Sequence, residues 1–195
     1  MMAASRSPYA RFVKRPLDAA LAAVLLVVLA PLFVVVALAV RLLDPGPAIF
    51  RQTRVGRDGN PFRISKFRSM PLGTGDIPSD RLGAIELKPI GRFLRRTNLD
   101  ELPQLWHIFV GDMSFVGPRP AIPLQTELLA LREQNGSAAL RPGLTGLAQV
   151  NGYDGMPVPE KAGYDGRYAA RISLAMDLAI LLRTFGYLRR PPPKY

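Results

Sequence analysis

The chain has 195 residues, room for one globular domain or for one domain with an attachment element. Lys and Arg number 26 against 15 Asp and Glu, a formal charge of +11. Cys is absent and the single His is His107, which excludes disulfide frameworks, thiolate nucleophiles and Cys/His zinc sites, so any metal would be a hard oxygen-bound cation such as Mg²⁺.

From Ala19 to Val40 the chain runs for 22 residues without a charge, about the length that spans a bilayer core as a straight helix. The run is too long for the apolar region of a cleaved signal peptide, about 7–15 residues. Both flanks are basic: Arg6, Arg11, Lys14 and Arg15 precede the run, and Arg41, Arg51, Arg54 and Arg57 follow it. A through-span would place one basic flank on the wrong side. Pro31 lies just past the middle, where a missing N–H breaks or bends a helix. The charges therefore favour a re-entrant hairpin broken at Pro31, entering and leaving on one face, over a kinked span. Residues 1–44 are expected to be this membrane element, and residues 45–195 a domain on the membrane surface.

Asp44-Pro45-Gly46-Pro47 stops the membrane element. Ala48 to Met70 alternates apolar and polar residues around Asp58-Gly59-Asn60-Pro61, a β-hairpin pattern with Ile49, Val55, Phe62, Ile64 and Phe67 as candidate buried positions. Pro71 to Ser79 reads as a loop. Ile90, Phe93 and Leu94 make a short apolar helix face beside Arg92, Arg95 and Arg96. Ala121 to Gln134 is expected to be a helix ending at Asn135-Gly136, and Leu140 to Gly155 a loop-rich segment. A long amphipathic helix is expected from Tyr168 to Arg190, too charged to span and so either core or interfacial. The fold class is α+β, mostly helical, with one small β-hairpin and amphipathic surface helices.

Asp100-Glu101-Leu102-Pro103 is the most informative stretch for chemistry. On its own it reads as an Asp N-cap with Pro in the first helical turn. The surrounding cations change that reading: Lys66 and Arg68, Arg95 and Arg96, Arg119 in Val-Gly-Pro-Arg-Pro, and Arg141 in Arg-Pro-Gly-Leu-Thr-Gly. Arg in rigid Pro/Gly turns suits bidentate phosphate binding, and a carboxylate pair among fixed cations suits phosphoryl transfer. No G-x-x-x-x-G-K-[ST] motif is present, which excludes a P-loop enzyme. His107, in Trp-His-Ile-Phe, reads as a buried packing residue rather than a base.

Four stretches carry a resemblance: Lys66–Met70, Leu99–Gln104, Gly111–Pro120 and Arg141–Gly152. In these motifs and their order the chain resembles the bacterial sugar transferases, in particular the small monotopic phosphoglycosyl transferases. The resemblance implies transfer of a sugar 1-phosphate from a UDP-sugar to undecaprenyl phosphate with release of UMP, on the cytoplasmic face of the bacterial inner membrane. It implies Asp100 as the nucleophile forming a covalent phosphosugar intermediate, and Glu101, with Asp100, as the holder of Mg²⁺. Lys66, Arg68, Arg95 and Arg119 then fall at phosphate-binding or site-organising positions. Arg141 and Gln149 belong to the loop that approaches the nucleotide, and Pro31 to the membrane kink. The chain departs from the family pattern at Ala30, often Ser, and at Tyr153, often Arg. An N-acetylated sugar is the expected donor, with a neutral hexose as the alternative. Membrane lipids are expected partners and nucleic acid is not; a homodimer stays open.

Two other classes compete. A nucleic-acid-binding protein accounts for the charge but not for the 22-residue apolar run. A non-catalytic membrane-surface adaptor accounts for the anchor and the charge, but not for four motifs in order.

Overall fold

The computed structural model describes residues 7–74, 87–152 and 156–188; Tyr153, the second half of the Pro71–Ser79 loop and the basic C-terminal tail lie outside them. A π-helical turn, Tyr9–Val13, leads into α1 (Lys14–Val28), which meets α2 (Ala30–Leu43) at a bend of 62°. The chain turns at Leu29 (φ −90°, ψ 1°), and Pro31 sits in the first turn of α2 without an N–H to offer the preceding turn. No single helix among the described residues is long and apolar enough to cross a membrane; the bent pair together has the length and composition.

Each half of the pair presents one helical stripe to the protein. In α1 this is Asp18, Ala22 and Leu25, continued by Leu29 at the bend, and in α2 it is Phe33, Val36 and Val40. The α1 stripe joins a core of Ile108, Met113, Val116, Tyr168, Ile172 and Ile180, while α2 packs on Phe67 and Leu94. Asp177 fastens the N-terminus to the last helix: its carboxylate accepts from Tyr9 (2.7 Å), Lys14 (2.6 Å) and Tyr168 (2.7 Å). The opposite faces of both helices are exposed and apolar; Val27 is 76% and Leu42 79% accessible.

Strands β1 (Ile49–Val55) and β2 (Pro61–Phe67) form the expected antiparallel hairpin, registered from Ile49↔Phe67 to Val55↔Pro61. Asp58 (φ 56°) and Gly59 (φ 78°) turn its tip. Ile64 and Phe67 are buried as expected, but Ile49 is exposed, and the buried position of β1 is the polar Gln52 opposite Ile64. His107 is buried and does more than pack. Its Nε2 accepts from the Ser65 amide (3.1 Å), which leaves the ring proton on Nδ1 to donate to Asp112 (3.0 Å).

A second, parallel pair joins β3 (Ser114–Val116), where no element was expected, to β4 (Gly143–Thr145), which lies in the segment read as loop-rich. Gly117 and Gly143 approach so closely there that a Cβ on either would strike the other's backbone. The pair continues as Gly117 N–H to Thr145 O (2.9 Å) and Gly143 N–H to Pro118 O (2.8 Å), fixing the turn that carries Arg119.

Two expected helices differ. The helix expected from Ala121 begins only at Thr126 (α5, Thr126–Gln134). Pro120 and Pro123 lack amide donors, Ala121 O accepts from Val55 N–H (2.8 Å), and Gln125 Oε1 accepts from Ile122 N–H. After the short α6 (Leu147–Asn151), the helix expected from Tyr168 to Arg190 is two, α7 (Val158–Ala170) and α8 (Leu174–Leu188). The break lets Ile172 turn into the core, and Ser173 Oγ accepts from Met176 N–H at the start of α8. Leu174, Leu178, Leu182 and Phe185 then form an exposed apolar stripe on α8.

Candidate active site

α3 (Pro89–Thr97) ends on Asn98 in the left-handed conformation (φ 54°), and the chain passes through a 3₁₀ turn, Leu99–Glu101, before α4 (Gln104–Val110). The Asp-Glu pair occupies that turn. Neither carboxylate caps a helix: the residue preceding α4 is Pro103, and no side chain bonds its first amides. The simple N-cap reading of Asp100 is therefore corrected.

Asp100 is buried, 7% accessible, and Glu101 is partly buried. Lys66 reaches across from β2 to put its Nζ 2.5 Å from Glu101 Oε1, and Arg119 Nη2 lies 3.5 Å from the same oxygen. Burial pushes the Asp100 carboxyl up, to about 6; Lys66, Arg95 and Arg119 only partly offset it, and the Glu101 charge adds to the rise. Burial also acts on Glu101, but the attraction of Lys66, Arg119 and Arg54 outweighs it and holds this carboxyl at about 2. Two neighbouring carboxylates are thus driven apart by their surroundings, an arrangement characteristic of reactive sites.

The turn bearing Arg119 is braced from behind. Arg132 Nη1 donates to Arg119 O (3.0 Å), and the same guanidinium forms a buried ion pair with Asp165 (2.7 Å). Burial pushes the Asp165 carboxyl up, and Arg132 opposes the shift.

Lys66, Arg95 and Arg119 surround the Asp100–Glu101 pair as the motifs suggest. Arg54, which the motif reading did not select, also acts on Glu101 and donates to Pro120 O (3.1 Å). The signal was the two-residue strand period: Gln52 and Arg54 share a face with Lys66, which pairs with Phe50. Arg68 goes elsewhere. It is 4% accessible, donates to the carbonyls of Asp44 and Pro45, and pairs with the Asp44 carboxylate, so it locks the exit of α2 to the hairpin. Arg141 Nε donates to Gly111 O (2.9 Å) at the end of α4. Gln149 Nε2 donates to Leu144 O (3.2 Å), with its Oε1 buried and unpaired among the described residues.

Among the described residues no cluster of three acidic or His groups could hold a metal by itself. The pair nonetheless fits Mg²⁺, which takes one or two carboxylates and completes its shell with water and substrate phosphate. Lys66 and Arg119 both approach Oε1 of Glu101, and Oε2 and the Asp100 carboxylate are the oxygens that would ligate the ion.

This chain belongs to the bacterial sugar transferase family, whose profile matches residues 9–190. It is 42% identical over 180 residues to the UDP-glucose:undecaprenyl-phosphate glucose-1-phosphate transferase of Caulobacter vibrioides, covering 88% of this chain and 67% of the relative. To the protein of the same name from Escherichia coli it is 38% identical over 185 residues, 89% of this chain and 39% of the relative. To the exopolysaccharide production protein PSS of Rhizobium leguminosarum it is 39% identical over 173 residues, 82% of this chain and 86% of the relative. The chain thus spans about two-fifths of the Escherichia coli relative's length.

Proposed function

We propose that the protein transfers a sugar 1-phosphate from a UDP-sugar to undecaprenyl phosphate through a covalent intermediate on Asp100. The observation that carries this reading is the buried Asp100 carboxyl beside Glu101, its pKa pushed up to about 6 by burial while Lys66, Arg95 and Arg119 act on it from nearby. An Asp100 oxygen attacks the phosphorus bearing the sugar, an acyl-phosphate bond forms, and the bond to UMP breaks. A phosphate oxygen of the polyprenyl acceptor then attacks the same phosphorus and releases the Asp100 carboxylate.

The flanking cations bind the diphosphate and balance charge that develops on its oxygens. Glu101 holds Lys66 and Arg119 at one oxygen, so it also spaces the two cations. Mg²⁺ held by the Asp100–Glu101 pair and the diphosphate would neutralise charge on the leaving phosphate.

The membrane reading supports the lipid acceptor. The bent α1–α2 pair is a re-entrant anchor of a monotopic protein, kinked at Pro31, and residues 45–195 form a catalytic domain at the cytoplasmic face of the inner membrane. The exposed apolar stripes of α1, α2 and α8, with Trp106 and Phe109 on α4, favour one shared lipid-facing surface.

Several relatives are named for glucose or galactose. This favours a neutral hexose over the N-acetylated sugar expected from the sequence. The test is UMP release from UDP-glucose, UDP-galactose and UDP-N-acetylglucosamine with undecaprenyl phosphate and Mg²⁺, beside Asp100→Asn. Release with one donor and none in the variant supports the reading. Release retained by Asp100→Asn refutes Asp100 as nucleophile.

A further inference from the structure

A cavity of about 470 Å³ lies between the first turn of α1, the hairpin tip and the segment that enters β4. Arg11, Lys14, Arg15, Arg57 and Arg141 line it, with Asp18 as the one acidic lining residue. None of Asp100, Glu101, Lys66, Arg95 and Arg119 takes part in it. We propose that this cavity is a binding site for a phosphate-bearing anion, separate from the Asp100–Glu101 pair and independent of the reaction proposed there.

The charge balance carries the inference. Asp18 is spent locally, accepting from Ser114 Oγ (2.7 Å) and facing Lys14 at 3.8 Å. Lys14 is matched by Asp177 at 2.6 Å, and Arg57 by its exposed neighbour Asp58 at 3.1 Å. Arg15 donates to Ile108 O and Phe109 O (both 2.7 Å), and Arg141 Nε to Gly111 O. Those carbonyls close the C-terminal end of α4 but carry no formal charge. Arg11 lies over the Phe12 ring at 5.0 Å.

Arg11, Arg15 and Arg141 therefore bring positive charge to one cavity whose one acidic lining residue, Asp18, is already shared with Lys14 and Ser114. Burial, and repulsion from Arg57 and Arg15, lower the Arg141 guanidinium below its ordinary value, and the attraction of Asp18 only partly offsets them. Arg15 and Arg141 are held in place by backbone carbonyls, so their remaining N–H groups are pre-aimed, which suits the tetrahedral oxygens of a phosphate. The ligand is a phosphate ester or free phosphate. Phe12, Val13 and Leu17 are exposed next to Arg11 on the apolar side of the N-terminal helix, so a lipid headgroup and a soluble phosphate both have access.

The test uses two charge-matched double variants of the full chain in detergent: Arg11→Gln with Arg57→Gln at the cavity, and Arg51→Gln with Arg63→Gln on the outer face of the hairpin. All four residues are exposed, and thermal unfolding checks that both doubles fold. Inorganic phosphate binding is measured by calorimetry. Binding to phosphatidylcholine vesicles with and without phosphatidylglycerol is measured by sedimentation.

The cavity double is expected to lose one class of phosphate binding by about tenfold or more, with the hairpin double within about twofold of the parent. The same split in the phosphatidylglycerol arm alone identifies the headgroup as the source; the split with inorganic phosphate alone identifies a soluble ligand. Equal losses in the two doubles, or no binding in either arm, overturn the site. A raised KM for the UDP-sugar in the cavity double alone overturns its separateness from the reaction centre.

Discussion

Replacing Asp100 by Asn should stabilise the protein at neutral pH while abolishing turnover. The native carboxyl titrates at about 6 instead of 3.8, because burial disfavours its charge. At about 1.4 kcal/mol per pKa unit, that rise corresponds to a cost of about 3 kcal/mol whenever Asp100 is ionised in the folded state. The sign follows from linkage. A carboxyl whose pKa is raised on folding adds stability below its unfolded value of 3.8, and that stability is lost as pH climbs through about 6. Asn carries no charge and escapes the loss.

Thermal unfolding of parent and Asp100→Asn in the same detergent, followed from pH 4 to pH 8, reads this directly. The two curves should converge near pH 4 and separate between pH 4 and 6. The variant should be the more stable above pH 6 by a margin approaching about 3 kcal/mol. A difference independent of pH, or a variant less stable than the parent at pH 8, would refute the claim that a buried, reluctant charge sits at Asp100.

Turnover itself should fall on the acid side with an apparent pKa near 6, since the nucleophile must be ionised; a profile flat from pH 5 to 8 argues against it. Lys66→Met removes the nearest cation from Glu101 and should lower kcat by about 10²-fold or more, while raising the Glu101 pKa above about 2. Arg132→Ala strands the buried Asp165 and should cost about 3–5 kcal/mol in unfolding; Arg132→Ala together with Asp165→Ala should recover part of that loss. Pro31→Ala restores an amide donor at the α1–α2 bend and should straighten the pair towards a span; labelling of an N-terminal Cys tag from the periplasmic side reports it, and a tag that stays inaccessible leaves the bend to Leu29 instead.

Local signals carried much of the molecule. The uncharged run with Pro31 in it yields a helix pair bent at that place, because a missing amide is a local fact of the chain. The Asp58-Gly59 tip and the alternation around it yield the hairpin, because both are set by neighbours in sequence. The motifs also named the Asp-Glu pair and three of the cations around it. Helix ends were harder: the break before α8 exists to bury Ile172, and the late start of α5 follows from a bridge between Ala121 and Val55, far apart in the chain. The β3–β4 pair has three residues on each side, too short for any period to register.

The functional distinctions among the basic residues belong wholly to the tertiary structure. Lys66 near the end of β2 and Arg68 just past it stand two residues apart, yet Arg68 locks the exit of α2 and Lys66 crosses 35 positions of sequence to reach Glu101. Arg54 joins the carboxylate pair and Arg141 joins a separate cationic cavity. Coulomb energy depends on separation in space and on the water excluded between the charges. The chain specifies which charges it carries; only packing decides which of them lie within a few ångströms of one another in a dry enough place to perturb each other.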